Sequence, residues 1–207
     1  MKKILLASLF LPLAFNGFAQ SIFSEDFEYD WQFPAGWTVQ NSDYFAGWVI
    51  GMPLQLSWDE STVLYHQYCV YVADKGCGCD NSNELLFTPG IDLSTAAHPF
   101  LTFDSYFYKW SNLVSSEAAL VEVSTDDGNS WALLENLGAN QSAWEKKTID
   151  LTAYAGLSDV RIGFRYSDST YNMNGWAVDN VMVTDVPTGT DIALDSITVG
   201  KFDPRPE

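Results

Sequence analysis

Positive charge is scarce in this sequence. Ten Lys and Arg stand against 27 Asp and Glu, with two His, and the formal net charge is −17. A surface of that sign repels nucleic-acid phosphates and anionic lipid headgroups, so neither is an expected partner. Histidine is nearly absent as well. A Ser-His-Asp relay would have to use His66 or His98, and His98 stands before Pro99 in loop-like sequence. No Gly-x-Ser-x-Gly elbow occurs. Cys69 lies three residues from His66, and residues so spaced on a strand face opposite sides, which argues against a thiol nucleophile with a histidine base. Among 27 acids, facing carboxylate pairs arise by chance, and the sequence singles out no glycosidase pair. No catalytic residue is therefore expected. Long apolar runs are missing beyond the first 19 residues, so no transmembrane helix is expected. No segment sustains a 3.6-residue apolar period, which argues against a helical fold.

Cysteine is sparse too, with Cys69, Cys77 and Cys79 alone. Cys69 can pair with Cys77 or Cys79 across Val70–Gly76, whereas a Cys77–Cys79 bridge would close a small, strained ring. Cys69 with Cys79 is the candidate pair, and one thiol is left over. Cys-x-Cys with the distant His66 is not a standard zinc spacing.

The amino terminus reads as an export signal. Lys2 and Lys3 precede the apolar stretch Ile4–Phe15, and Gly17-Phe18-Ala19 puts small residues at the −3 and −1 positions of a cleavage site after Ala19. No Cys follows that would carry a lipid anchor. The expected organisation is a signal peptide over 1–19, one domain over 20–186, and a linker with the start of a following domain over 187–207. Pro187–Thr190 supplies the linker and Asp191–Val199 alternates like a new strand. The expected location is secreted or at the cell surface, with further domains C-terminal. Without the signal, eight basic residues face 27 acids, a net charge of −19. Export permits a disulfide.

What the chain does contain is strand signal. Apolar and β-branched runs recur at Ile22–Phe27, Trp37–Gln40, Gly47–Ile50, Val63–Val72, Glu84–Phe87, Phe100–Lys109, Ala119–Thr125, Trp131–Leu137, Glu145–Asp150, Val160–Tyr166 and Trp176–Thr184. Gly, Pro, Asn, Asp and Ser clusters separate them. Val121 and Val123 alternate with Glu122, and Ile162 and Phe164 share one face. Many short alternating strands predict a β-sandwich or barrel. Ser124–Trp131 reads as a hairpin, with Asp126 capping its own turn and Trp131 packing beneath. Its Ser-x-Asp-x-Gly-x-x-Trp pattern is that of the Asp-box of sialidase-type propellers, but a propeller repeats it in many blades and here it occurs once.

Several phrases follow one another in a telling order: Phe23-Ser-Glu-Asp-Phe-Glu28, Pro34-Ala-Gly-Trp37, Leu85-Leu-Phe-Thr-Pro89 with Ile91-Asp-Leu-Ser94, Val123 to Trp131, Ile149-Asp-Leu-Thr152, and Gly175-Trp-Ala-Val-Asp-Asn-Val181. In this order they resemble the cleaved-adhesin family, also called choice-of-anchor J, over Ser21 to Asp185. The Cys77-Gly-Cys79 phrase departs from that pattern. The resemblance implies an all-β jelly-roll sandwich of two antiparallel sheets, bound calcium, an adhesive or carbohydrate-binding role, and no catalytic residues within the module. The expected partners are a glycan or an extracellular protein. The alternative is a non-catalytic accessory domain of a larger secreted hydrolase.

Calcium needs six to eight hard oxygen ligands. The sequence offers them at Glu25, Asp26 and Glu28, at Asp80, Asn81 and Asn83, and at Asp179 and Asn180. First and last strands of a jelly roll lie close, so one ion could gather all three segments. On a continuous strand Asp26 and Glu28 share a face and Glu25 takes the other. Asp104 is an inward candidate in an apolar strand, where a buried carboxylate needs a partner. The expected ligands are Asp26, Glu28, Asp80, Asn83, Asp104 and Asp179. Trp58 and Trp110, in loop-like surroundings, are the candidates for stacking on a sugar ring, since aromatic rings also stack on sugar faces. Trp176, opening the last strand, is expected in the core.

Overall fold

Period-two alternation puts one face of each strand toward a common core, and the strands assort into two sheets. The computed structural model describes residues 19–28, 31–41, 47–52, 68–73, 81–108, 117–137, 143–168 and 175–186. The strands are β1 (Gln20–Glu25), β2 (Thr38–Gln40), β3 (Val49–Gly51), β4 (Cys69–Ala73), β5 (Glu84–Phe87), β6 (Pro99–Tyr108), β7 (Ala118–Ser124), β8 (Ala132–Asn136), β9 (Glu145–Asp150), β10 (Arg161–Ser167) and β11 (Gly175–Asp185), with one 3-10 turn at Thr152–Tyr154. Each expected run coincides with a strand. The ends differ where backbone chemistry intervenes. β1 stops at Glu25 because Phe27 takes a left-handed φ of 52°, which a pleated strand cannot hold. The Val63–His66 part of the fourth run lies outside the described residues.

One sheet has the order β3-β4-β11-β6-β9, with β1 also on β11; the other has the order β2-β5-β10-β7-β8. The pairings are antiparallel throughout. The fold is a jelly-roll β-sandwich. β11 organises the first sheet. Its first half, Gly175–Val178, pairs with β4, and its second half, Val181–Asp185, pairs with β1 on the same side. β4 and β1 thus lie end to end along β11, and an irregularity between Asp179 and Met182 marks the junction.

The core fills the space between the sheets. Phe103, Phe164 and Trp176 meet edge to face, at 5.3 Å and 5.8 Å between ring centroids, and Trp48 meets Trp176 at 5.3 Å. All four are essentially excluded from solvent, Trp176 completely, as expected from its place at the start of β11. Burying each such ring contributes about 1.5–3 kcal/mol. Val121, Val123, Ile162 and Phe164 all face this core, as their alternation requires. Phe27 is fully buried against Trp37, 4.9 Å away, and so pins the chain just past the end of β1.

The β7–β8 hairpin closes as its sequence predicts. Asp127 and Gly128 take left-handed φ of 62° and 84°. Asp126 accepts hydrogen bonds from the Ser130 amide at 2.9 Å, the Ser130 hydroxyl at 2.6 Å and the Ser124 hydroxyl at 2.7 Å. Trp131 lies over Gly163 on the outer face of the second sheet, 5.3 Å from Phe87.

Candidate functional site

The junction of β1, β4 and β11 is where the acidic phrases of the first and last strands meet. Asp179, 2% exposed, is the last β11 residue before the irregularity, and Asn180 beyond it takes φ 50°. That turn lets the Asn180 amide donate to the Asp179 carboxylate at 2.7 Å. On the β1 side the chain leaves the sheet at Glu25, whose carboxylate accepts from the Phe27 amide at 2.9 Å. Asp26 accepts from the Glu28 amide at 3.3 Å. β4 begins at the junction with Cys69, which is a buried free thiol here and not the disulfide partner expected for Cys79: its Sγ donates to the Gly51 carbonyl at 3.7 Å.

The electrostatics tie these groups together. The Glu25 carboxyl is held above its ordinary range by burial first, then by the charges of Asp26 and Asp179, against the opposing pull of the Phe27 amide. The Cys69 thiol is pushed well up by burial and by the charges of Asp179 and Glu28. Glu25 on β1 and Cys69 on β4 thus both sense the charge of Asp179 on β11. Beside the junction a cleft of about 420 Å³ is lined by Ser24, Glu25, Asp26, Lys146, Asn180 and Met182. Asp104 reaches this neighbourhood from the β6 side of β11, accepting from the Asn180 side chain at 2.9 Å and pairing with Lys146 at 3.4 Å.

Around this irregularity Asp104 is the register partner of Asp179, Asp26 lines the cleft with Asn180, and the charge of Glu28 bears on Cys69. The structure does not bring Asn83 there. That residue, at φ 76°, accepts a hydrogen bond from Arg165, which alternates with the inward Phe164 and Tyr166 and so lies on the outer face of the second sheet. One ion shared by all three acidic segments is thus excluded for Asn83, on the other side of the sandwich. Two further expectations are corrected. Asp104 is not inward: Phe103 on β6 points into the core, so Asp104 takes the outer face. Glu25, set aside by the strand-face argument, is the partly buried acid at the junction, because β1 ends before Asp26 and Glu28 can alternate. Asp80, Trp58, Trp110 and Cys79 lie outside the described residues.

The donor set suits a hard cation. Every oxygen is a carboxylate or amide, and the charges of Asp26 and Asp179 add to the burial that raises the Glu25 carboxyl. Among the described residues no three acidic, His or Cys side chains already stand at mutual ligating distance. Binding would draw in the exposed Asp26 and Glu28 side chains.

Sequence reasoning passed over two features. Trp31 is the more prominent. It is 61% exposed, sits at a left-handed φ of 58°, and packs edge-on with Tyr68 at 5.9 Å. Its one legible signal is a large aromatic in the polar stretch Tyr29-Asp-Trp-Gln32. The second is a buried polar cluster at the β5 and β10 ends, where Asp168 accepts from the Asn81 amide at 3.1 Å and Asn81 accepts from the Gly47 amide at 3.0 Å. It closes the end of the second sheet.

The K1 cleaved adhesin domain of Lys-gingipain from Porphyromonas gingivalis superposes with a TM-score of 0.57, covering 83% of this chain and 100% of that domain at 23% identity. This chain has the gingipain cleaved-adhesin fold. The C-terminal family 22 carbohydrate-binding module of Clostridium thermocellum xylanase 10B shares the adhesin-like architecture at a TM-score of 0.50 and 10% identity, over 81% of this chain and 96% of that module. In sequence, the chain is 25% identical to Bacillopeptidase F of Bacillus subtilis over 181 residues, 86% of the chain but 12% of that protein. The chain thus spans about an eighth of the length of that relative. No protein-family model matches the chain.

Proposed function

We propose that the chain is a non-catalytic binding module acting outside the cell, stabilised by calcium at the β1–β4–β11 junction, with a carbohydrate or an extracellular protein as its ligand. One observation carries the metal part of this reading. Glu25, Asp26, Glu28 and Asp179 meet where two strands abut end to end, and burial and mutual repulsion raise the proton affinity of Glu25. A divalent cation there would offset that repulsion and tie the first strand to the last. Asp179, Glu25, Asp26 and Glu28 would hold the ion, with Asp104 and Asn180 adjoining. The fold, shared with adhesin domains and with a carbohydrate-binding module, supports the binding part. Among the described residues no helix is long and apolar enough to cross a membrane.

The decisive experiment is thermal unfolding of the mature chain in calcium and in excess chelator, repeated on Asp179→Ala. A calcium-dependent rise in melting temperature that the substitution abolishes supports the site. An equal melting temperature in both conditions sinks it. A second reading, an accessory domain of a larger secreted hydrolase, is favoured by the likeness to one segment of Bacillopeptidase F. The isolated chain separates the two: saturable binding to glycans or extracellular proteins supports a binding module, whereas no binding, with stabilisation of a linked catalytic domain, supports an accessory role.

A further inference from the structure

Next to the acidic junction stands an aromatic surface that is built rather than incidental. Trp31 is 61% exposed, yet its ring has a seat. An ideal Cβ on Gly51 would fall 2.7 Å from Cζ3 of that ring, so the indole rests where the glycine leaves room. Tyr68 braces it edge-on at 5.9 Å, and the left-handed φ of 58° turns the chain to deliver it there. Val49, 44% exposed, shares the outer face of the edge strand β3 with Gly51 and extends the patch. Trp31 is also placed against the junction. Gly51 is the register partner of Cys69 and accepts its Sγ hydrogen bond, and Cys69 senses the charge of Glu28. A flat ring, held at its edge and open to solvent, thus rests on the register partner of Cys69, the residue that opens β4 at the junction.

We propose that Trp31 is the stacking platform of a glycan-binding site, and that its ligand is a neutral oligosaccharide. The C–H face of a pyranose covers the indole, and its hydroxyls donate to carboxylate oxygens at the rim of the junction. This rests on the binding-module reading above and names the ligand class and the residue. The rim charge selects against sulfated or uronate sugars, since Glu25, Asp26 and Glu28 would oppose them at close range. A cation on the ring face is the other chemistry such a site could take, and the oligolysine probe below tests for it.

The test is calorimetric titration of the mature chain at saturating calcium. The probes are neutral cello-, xylo-, manno- and galacto-oligosaccharides, with heparin and polygalacturonate as anionic probes and oligolysine as the cationic one. Wild type should bind a neutral oligosaccharide with an affinity that changes little with sodium chloride. Trp31→Ala should weaken it about ten-fold or more while leaving the melting temperature nearly unchanged, and Trp31→Phe should recover part of the loss. Gly51→Ala keeps the tryptophan but displaces the ring, and should weaken binding as well. Oligosaccharide binding that survives Trp31→Ala overturns the proposal and leaves the binding-module reading standing. Failure of every neutral probe overturns it too, and salt-sensitive, Trp31-dependent binding of oligolysine replaces it with a cationic partner. The calcium melting experiment judges the junction independently of all three.

Discussion

Asp126 shows how one side chain can hold a turn. Its carboxyl is drawn down from 3.8 to about 2 by hydrogen bonds, first from the Ser130 hydroxyl and amide, then from the Ser124 hydroxyl. A carboxyl depressed in the folded state adds stability above its unfolded value and loses it as pH falls through the folded one. Asp126→Ala should therefore melt below wild type at neutral pH, and the two curves should converge as pH drops from about 4 toward 2. Melting temperatures across that range check it, and a constant difference would refute it. Gly163 plays a different part. A Cβ there would fall 2.7 Å and 2.9 Å from the Trp131 ring and 3.1 Å from Leu85. Gly163→Ala should cost about 1–3 kcal/mol by overpacking. Denaturant titration gives the cost, and a shift in tryptophan emission would show the ring moving. The Asp126 turn was readable in the sequence because its donors lie within four residues. The Gly163 contact was not, because Trp131 and Gly163 are brought together only when β10 pairs with β7.

At the scale of the element, the end of β1 governs the junction. Phe27 is fully buried and sets the position of Glu25 on one side and Glu28 on the other. Phe27→Ala should cost about 3–5 kcal/mol. It should also weaken calcium binding if the junction holds the ion, which titration of calcium on the folded variant would measure. Glu25 carries the opposite sign to Asp126. Its carboxyl is raised in the folded state, so the fold is disfavoured as pH climbs from the unfolded value through the folded one, and it gains stability when the group is protonated. Glu25→Gln should raise the melting temperature in chelator and shrink the increment that calcium adds. A variant less stable than wild type in chelator would show that Glu25 is paired rather than repelled. The strand itself was legible from its alternation. Its end was not, because the left-handed turn at Phe27 is dictated by Trp37 in the core and not by neighbours in sequence.

Across the whole molecule, the first strand pairs directly with the last, β1 on β11, so an ion at the junction would reinforce that pairing. A ligand that binds only the folded state at a hundred times its Kd adds about 2.7 kcal/mol, and for a chain of this size that lifts the melting temperature by roughly 5–10 °C. Calcium should do this and sodium chloride should not reproduce it. Salt will raise stability somewhat by screening the net charge of −17, so the comparison belongs at fixed ionic strength.

The sequence by itself determined the class of the molecule. Alternation of period two, turn residues between the runs and the lack of any helical period leave a β-sandwich or barrel as the way to bury the apolar runs. It also placed the acidic phrases at the two ends of the domain. Which of those acids meet was decided by tertiary structure. β4 and β1 share one edge of β11, so Glu25, Glu28 and Asp179 come together, while Asn83 is carried to the other sheet by its bond to Arg165. The same packing set Trp31 on Gly51. The reason is physical: side-chain period reports which face a residue takes, whereas strand order and register, fixed by long-range pairing, report which faces adjoin.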